Sequence, residues 1–584
     1  MSGLEVLFQL AWKLVNEQGR IRLLAVLASV FFVVLASRLF YIQILQGKYF
    51  YNLADNQYSA GDQYSLYERG SISFRMREGG ELSAGDLDTG FILAINPTLL
   101  LDAHGTYQKL SVFVDGLDED DFVTKASKKA DPYEEIAHRL TLDIKDKIES
   151  IRIPGVILVR EQWRDYPAGK LAAHTLGFVG YKGNELLGRY GVELAYDSLL
   201  TRAPGDLYRN FFSGLFEGLK NDIFGRESAM EGNIILSIEP RVQTLIESKL
   251  DELSEKWSAK NLGIMVLDPT TGEIVAMGAY PTFDPNNYRL ESDSGVFSNP
   301  FVERVFEVGS IMKPISIAAA LDSGVITPDT TYFDKGYIEL DGKRIENFDG
   351  VGRGRVSMQE VLNQSLNTGA TYAALALGSD KFQEYMYRFG FHDKTGVDLP
   401  NESGNLIENL ESNRDVEVAT ASFGQGIAVT PISMVRALGA LANGGFLIKP
   451  YVGRRVDYSL GYSEEVKVTE QGRAVSSDTS ETITRMLVKV VDEHLANGKL
   501  KMDHYSIAAK TGTAQIVNPD GGGYYADRYM HSFFGYFPAY DPKFLVFLFM
   551  NEPKGVDYAS QTLTDPFKDI AEFLISYYEI PPDR

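Results

Sequence analysis

Two groups of strand-like apolar runs stand far apart in this chain, and their separation constrains the fold more than any other feature. The first, GIMVLDPTTGEIVAMGAY from Gly263 to Tyr280, has two apolar runs around Asp268-Pro269-Thr270-Thr271-Gly272 and reads as a β-hairpin. The second group lies near the C-terminus: Ser506 to Val517, His531 to Phe537 and Lys543 to Met550. A long, mostly helical stretch separates them. A lone hairpin is marginal in water, so early and late strands are predicted to meet in one mostly antiparallel sheet of about five strands, covered by helices and carrying an inserted helical lobe. The fold class is α/β in the α+β sense. A strand at Asn233 to Ile238, a helix at Arg241 to Trp257 and a closing helix at Asp565 to Tyr578 complete this unit.

Upstream, Tyr51 to about Arg226 is mixed, with a strand-like run at Gly155 to Val159 and a charge-rich stretch, Pro132 to Ile148, that reads as helical. Near the N-terminus, Leu23 to Ser37 is apolar throughout and LFYIQIL continues it to Leu45. As a single helix, Ile21 to Leu45 would reach roughly 35 Å, enough to cross a bilayer core. Lys13, Arg20 and Arg22 lie on its N-terminal side, so the positive-inside rule keeps residues 1–20 in the cytoplasm and exports the rest.

With 79 acidic against 57 basic residues, the formal charge is -22, which argues against nucleic acid as a partner. Cysteine is absent, so disulfides and thiolate chemistry are excluded. The seven histidines are scattered without metal-ligand spacing, and His174 and His531 read as packing or hydrogen-bonding residues. No cofactor or metal is called for.

Chemistry concentrates around FEVGSIMKP, Phe306 to Pro314. Pro314 is tolerated only in the first turn of a helix, which places the helix start near Ser310. Ser310 then lies at the positive end of the helix dipole, with Lys313 one turn on along the same face. A buried Lys313 amine could take the serine proton if desolvation or a second cation lowers its pKa. Two more triplets follow. Ser365-Leu366-Asn367 interrupts the amphipathic pattern of Met358 to Gly378, and Lys510-Thr511-Gly512-Thr513 lies in a predicted strand where Gly512 would admit a ligand close to the backbone. Lys394-Thr395-Gly396 and Ser403-Gly404-Asn405 repeat two triplets, but in a turn-rich stretch, and are set aside as loop residues. Ser-x-x-Lys, then Ser-x-Asn, then Lys-Thr-Gly is the set of the penicillin-recognising serine acyltransferases.

The chain resembles the class B penicillin-binding proteins, the monofunctional peptidoglycan D,D-transpeptidases, over nearly its whole length. Besides the triplets, RDYPAGKLAAHTLGFVG (Arg164 to Gly180), GRYGVELAYDSLL (Gly188 to Leu200), DPTTGEIVAMGAYPTFDPN (Asp268 to Asn286) and FGQGIAVTP (Phe423 to Pro431) carry the resemblance. RGSISFRMREGG, from Arg69, departs from the family's pattern. The resemblance implies a cytoplasmic tail (1–20), a transmembrane anchor (21–45), a non-catalytic pedestal of the dimerisation type (46–230) and a transpeptidase domain (231–584). It implies a single-pass protein of the bacterial inner membrane whose catalytic domain is outside the cytoplasm.

The substrate implied is a stem peptide ending in D-Ala-D-Ala. Ser310 would attack and form the acyl-enzyme, Lys313 would be the base, and Ser365 would relay a proton to the leaving amine. Asn367 would hold Lys313 and the substrate amide. Lys510, Thr511 and Thr513, around Gly512, would bind the substrate carboxylate, with Lys510 helping to keep Lys313 neutral. The oxyanion would sit between the N–H groups of Ser310 and Thr513. Partners implied are β-lactams, wall-synthesis proteins and a polytopic glycan polymerase of the shape, elongation, division and sporulation family. RVFEVGSIMKP and ENFDGVGRGRVSMQEVLNQSLNTGA lean towards the septal member. The rival readings are a catalytically inactive scaffold, a D,D-carboxypeptidase and a β-lactamase.

Overall fold

The computed structural model describes residues 26, 29–35, 38, 68–182, 185–202, 231–412, 414–459, 461–518 and 521–584. The chain forms two compact units, Met1–Tyr67 and Glu68–Arg584. In the first, the described residues are helical, with exposed apolar side chains such as Phe31 and Phe32. Among the described residues no helix is long and apolar enough to cross a membrane. Most of the anchor expected at 21–45 lies outside them.

The second unit holds the five-stranded sheet the separated runs required. Its order is Ala508–Val517, Tyr524–Phe537, Phe544–Asn551, Asn261–Leu267, Ile274–Tyr280, and every pairing is antiparallel. Phe544–Asn551 is central because it is apolar on both faces, with seven of its eight residues buried. The edge strand Ile274–Tyr280 is covered by helix Pro240–Trp257, whose Gln243 exchanges two 2.9 Å hydrogen bonds with the Met277 backbone. The closing helix, Thr564–Tyr577, lays Phe567 on Phe533, with ring centroids 4.7 Å apart.

A second sheet joins regions the sequence reading kept apart. Strand Gly232–Leu236 pairs in parallel with Ile72–Phe74 on one side and antiparallel with Gly453–Tyr458 on the other. Ile72–Arg75 continues to Glu81–Ile95, which carries both Glu134–Leu140 and Val156–Asp165. Hydrogen bonding in this sheet therefore links Ile72–Arg75 and Glu81–Ile95 to strands that come after residue 231. Ile72, Phe74, Ile234 and Leu236 also belong to the main core, whereas Leu93, Leu110, Phe122 and Leu140 build a separate small one.

The Pro132 to Ile148 reading needs correction. Glu134–Leu140 is a strand, and the helix begins only at Leu142, after Thr141 accepts from the Ile144 N–H. Charged residues suit both the solvated face of a strand and a helix, and the pairing with Glu81–Ile95 decides.

Arg69, which opens RGSISFRMREGG, belongs to a buried ion cluster. It meets Glu193 at 2.6 Å and Asp197 at 2.8 Å, and Arg164 meets the other Glu193 oxygen at 2.6 Å. Tyr166 adds its hydroxyl at 3.1 Å. Burial pushes the Glu193 carboxyl up, and Arg164 and Arg69 together pull it below its ordinary value. Glu193, in the stretch that begins at Gly188, thus joins Arg69 to Arg164 and Tyr166 of the stretch that begins at Arg164.

Candidate active site

Ser310 sits in a 3₁₀ turn, Gly309–Met312, that runs directly into helix Lys313–Asp322 with Pro314 in its first turn. The sequence placed the helix start at Ser310; the turn is tighter there, and the α-helix proper begins at Lys313. Ser310 is half-buried, whereas Lys313 is fully buried.

Two neighbours hold the serine turn in place. Gly309 donates its N–H to the Gly424 carbonyl at 3.0 Å, and a Cβ on Gly424 would lie 2.2 Å from the Gly309 oxygen. On the other side Gly512 faces the turn, where a Cβ would meet Ser532 Oγ at 2.3 Å, the Val308 oxygen at 2.7 Å and the Ile311 nitrogen at 3.0 Å. The chain's own serine turn therefore makes a close approach at Gly512. Thr513 completes the contact, since its carbonyl would lie 2.8 Å from a Cβ on Gly309.

Ser365 falls between helices Met358–Asn363 and Asn367–Leu377, with φ at +56°. A left-handed serine costs about 1–3 kcal/mol and is held only where its surroundings over-determine it. Here they do. Lys313 Nζ donates to the Ser365 carbonyl at 2.5 Å and to its Oγ at 3.1 Å, and Lys510 Nζ donates to the same Oγ at 3.0 Å. Behind the loop, buried Thr368 bonds Asp334 at 2.9 Å, while Asn347 Nδ2 bonds the other Asp334 oxygen at 3.0 Å. Sequence reasoning singled out neither Asp334 nor Asn347, although Asn347 stands in the run quoted from Glu346. Asn367 lies beside this network and donates to the Glu346 carbonyl at 2.8 Å; among the described residues it makes no bond to Lys313.

Among the described residues neither lysine has a carboxylate partner. Burial first, and the nearby Lys510 ammonium second, hold Lys313 well below its ordinary value. Burial alone brings Lys510 down to about 7. The expected like-charge repulsion is present, but desolvation is the larger cause. A Ser365 oxygen that accepts from both amines keeps its own proton free to give away. Ser310, Lys313, Ser365, Lys510 and Gly512 are thus drawn together, with Thr511 and Thr513 half-buried on the same strand. Thr513 Oγ1 accepts from the Ala559 N–H at 3.1 Å.

The set-aside triplets are loop staples. Glu402 accepts from the Thr395 hydroxyl at 2.7 Å and from the Gly396 N–H at 2.9 Å, and Asn405 bonds the Phe391 carbonyl at 2.9 Å. His174 and His531 are buried and bond Val296 O and Thr562 Oγ1 at 2.9 and 3.0 Å.

The chain is similar to known proteins in sequence and in fold. Residues 262–572 match the penicillin binding protein transpeptidase domain, and residues 80–206 the penicillin-binding protein dimerisation domain. The chain is 30% identical over 561 residues to stage V sporulation protein D of Bacillus subtilis, covering 94% of this chain and 84% of that one. It is 29% identical over 449 residues to the peptidoglycan D,D-transpeptidase FtsI of Escherichia coli K12, covering 77% and 73%. In fold it is similar to penicillin binding protein 2X of Streptococcus thermophilus, with a TM-score of 0.72 at 22% identity over 88% of this chain and 79% of that one. The transpeptidase match spans the strand of Lys510, the turn of Ser310 and the loop of Ser365 alike, and the first relative extends the likeness to nearly the full length. The chain belongs to the penicillin-binding protein transpeptidase family.

Proposed function

We propose that this protein is a peptidoglycan D,D-transpeptidase that cross-links stem peptides through a serine acyl-enzyme and takes penicillin covalently at the same serine. The observation that carries the reading is the pair of buried amines, Lys313 and Lys510, sharing Ser365 Oγ beside the Ser310 turn. Ser310 attacks the penultimate D-Ala carbonyl and forms the ester as the terminal D-Ala leaves. Lys313, held neutral, takes the serine proton. Ser365 passes a proton to the leaving amine and is resupplied through Lys313. Lys510, Thr511 and Thr513 receive the substrate carboxylate, and the Ser310 and Thr513 N–H groups receive the oxyanion. Asn367 serves the substrate amide.

The same reading assigns residues 1–20 to a cytoplasmic tail, 21–45 to a membrane anchor, 46–230 to the pedestal and 231–584 to the transpeptidase domain. It places the protein in the inner membrane with its catalytic domain outside the cytoplasm. The apolar run Leu23 to Ser37 supports the anchor. A polytopic glycan polymerase is the proposed partner and septal wall synthesis the proposed setting, on the strength of the anchor and of the runs around Ser310 and Glu346.

Intact mass after incubation with benzylpenicillin tests the reading. A lasting adduct on the protein and none on Ser310→Ala is the expected result. A folded protein that takes no adduct would sink it, and rapid drug turnover without an adduct would point to a β-lactamase instead.

A further inference from the structure

A Thr513 hydroxyl that receives the substrate carboxylate has to donate its proton to it. A threonine hydroxyl has one proton and two lone pairs, and it rotates freely unless a neighbour fixes it. Thr513 Oγ1 accepts from the Ala559 N–H at 3.1 Å. That bond engages one lone pair and leaves the Thr513 proton to be given away. Where the Ala559 N–H stands therefore decides which way the hydroxyl donates.

Ala559 opens the short helix Ala559–Thr562, and one imidazole fastens the segment that contains it. His531 lies directly opposite Thr513 on the neighbouring strand Tyr524–Phe537, so the two side chains share a face of the sheet. Its Nδ1 is 3.0 Å from Thr562 Oγ1 and its Nε2 is 3.2 Å from the Asp557 carbonyl, one contact on each side of Ala559 along the chain. Both His531 and Thr562 are buried. A carbonyl only accepts, so Nε2 carries the hydrogen; Nδ1 of the neutral ring then accepts, and the Thr562 hydroxyl donates to it. Burial holds this imidazole down to about 4, so the ring stays neutral at physiological pH and keeps both bonds. The reaction as written does not use His531, yet both of these bonds go to the segment that delivers the Ala559 N–H.

We infer that His531 is a positioning residue for substrate recognition: it holds residues 557–562 so that the Ala559 N–H orients the Thr513 hydroxyl as a donor to the terminal carboxylate of the donor peptide. The inference rests on the transpeptidase reading and adds to it a residue that acts through Thr513. A shift of about 1 Å in such a support is enough to weaken a positioned contact.

The full-length chain would be given two synthetic stem-peptide thioesters that differ only in the leaving group, which ends in a carboxylate or in its methyl ester. Acylation kcat/KM of the wild type should favour the carboxylate. His531→Ala should cut that preference about tenfold or more, the scale of a hydrogen bond to a charged group. The loss should fall on the carboxylate substrate, with the ester rate close to wild type. Thr513→Val, which removes the hydroxyl and keeps the branched shape, should cut the preference to a similar degree. Adding His531→Ala to Thr513→Val should then cost the preference nothing further, because the hydroxyl that His531 orients is gone. His531→Gln, whose side-chain N–H can replace the Nε2 bond to Asp557, should restore part of the preference. Losses that multiply in the double variant, or that fall equally on both substrates, overturn the inference and leave His531 a packing residue. An unchanged preference in His531→Ala, or a wild type without one, overturns it too. Thr562→Val removes the other anchor of the ring and should lower the preference part of the way; it is read by the same criteria if His531→Ala does not fold. If the wild type forms no benzylpenicillin adduct, the transpeptidase reading has failed; an adduct with a preference indifferent to position 531 defeats this inference alone.

Discussion

Ser365 Oγ accepts from both amines, and the two must titrate in opposite senses for the chemistry to run. Lys313 works as a base only after losing its proton, so acylation rises with pH through its lowered pKa. Lys510 holds a carboxylate only while charged, so acylation falls as pH rises through about 7. A bell-shaped profile of acylation kcat/KM is expected, its alkaline limb near neutrality. Lys510→Met should lose that limb and about a hundredfold in rate on carboxylate-bearing substrates. The same burial lowers stability. Between the folded value near 7 and the unfolded value near 10.5 the unfolded chain binds more protons, so the Lys510 contribution to stability rises with pH across that window. Replacing the buried base, Lys313→Met, should abolish acylation and raise Tm by roughly 2–4 °C, which calorimetry at pH 7 would check.

At the scale of elements, the serine turn is clamped by Gly424 on one side and Gly512 on the other. Gly424 has φ at +80°, and its missing Cβ leaves room for the Gly309 carbonyl. Gly424→Ala should displace the turn and slow acylation by a chromogenic cephalosporin about tenfold or more, since strain of about 1–3 kcal/mol has to be relieved there. A rate equal to wild type would show that the turn does not depend on this contact. The sequence announced much of this level. Apolar runs bounded by turn residues place four strands of the five-stranded sheet within two residues of their ends, because those strands are buried along most of their length, whereas Tyr524–Phe537 starts ahead of the expected His531 because its first residues are mostly exposed and polar. Pro314 marks the helix start because its ring leaves few alternatives. The stretch at Pro132 was misread because a solvated strand and a helix share the same charged residues. The link from His531 to Thr513 had no sequence signal, since it runs through cross-strand pairing and residues 557–562.

At the scale of the whole molecule, the Arg69 cluster and the sheet through Gly232–Leu236 bind the early part of the chain to the late part. Glu193 carries two guanidiniums in a site closed to water. Glu193→Gln leaves both arginines buried and under-compensated, which should cost about 3–5 kcal/mol. The expected result is a single melting transition at lower temperature, with benzylpenicillin still bound at 25 °C. Two separate transitions would show instead that the regions before and after residue 230 fold independently. Local periodicity marked the strand at Asn233 to Ile238, but such long-range pairing leaves no trace in it, and for that reason the partner strands at Ile72–Arg75 and Gly453–Tyr458 were not foreseen.

The position of Phe544–Asn551 in the middle of its sheet also sets an order of assembly. Asn261–Leu267 is buried on both faces, yet the strand it leans on, Phe544–Asn551, is synthesised long after it. At about 5–20 residues per second, the early hairpin waits roughly 15–60 s for it. During that time its apolar edge is open to other chains. A chain that stopped before Phe544 would lose the centre of the sheet rather than a dispensable tail, and this late strand is the keystone of the fold.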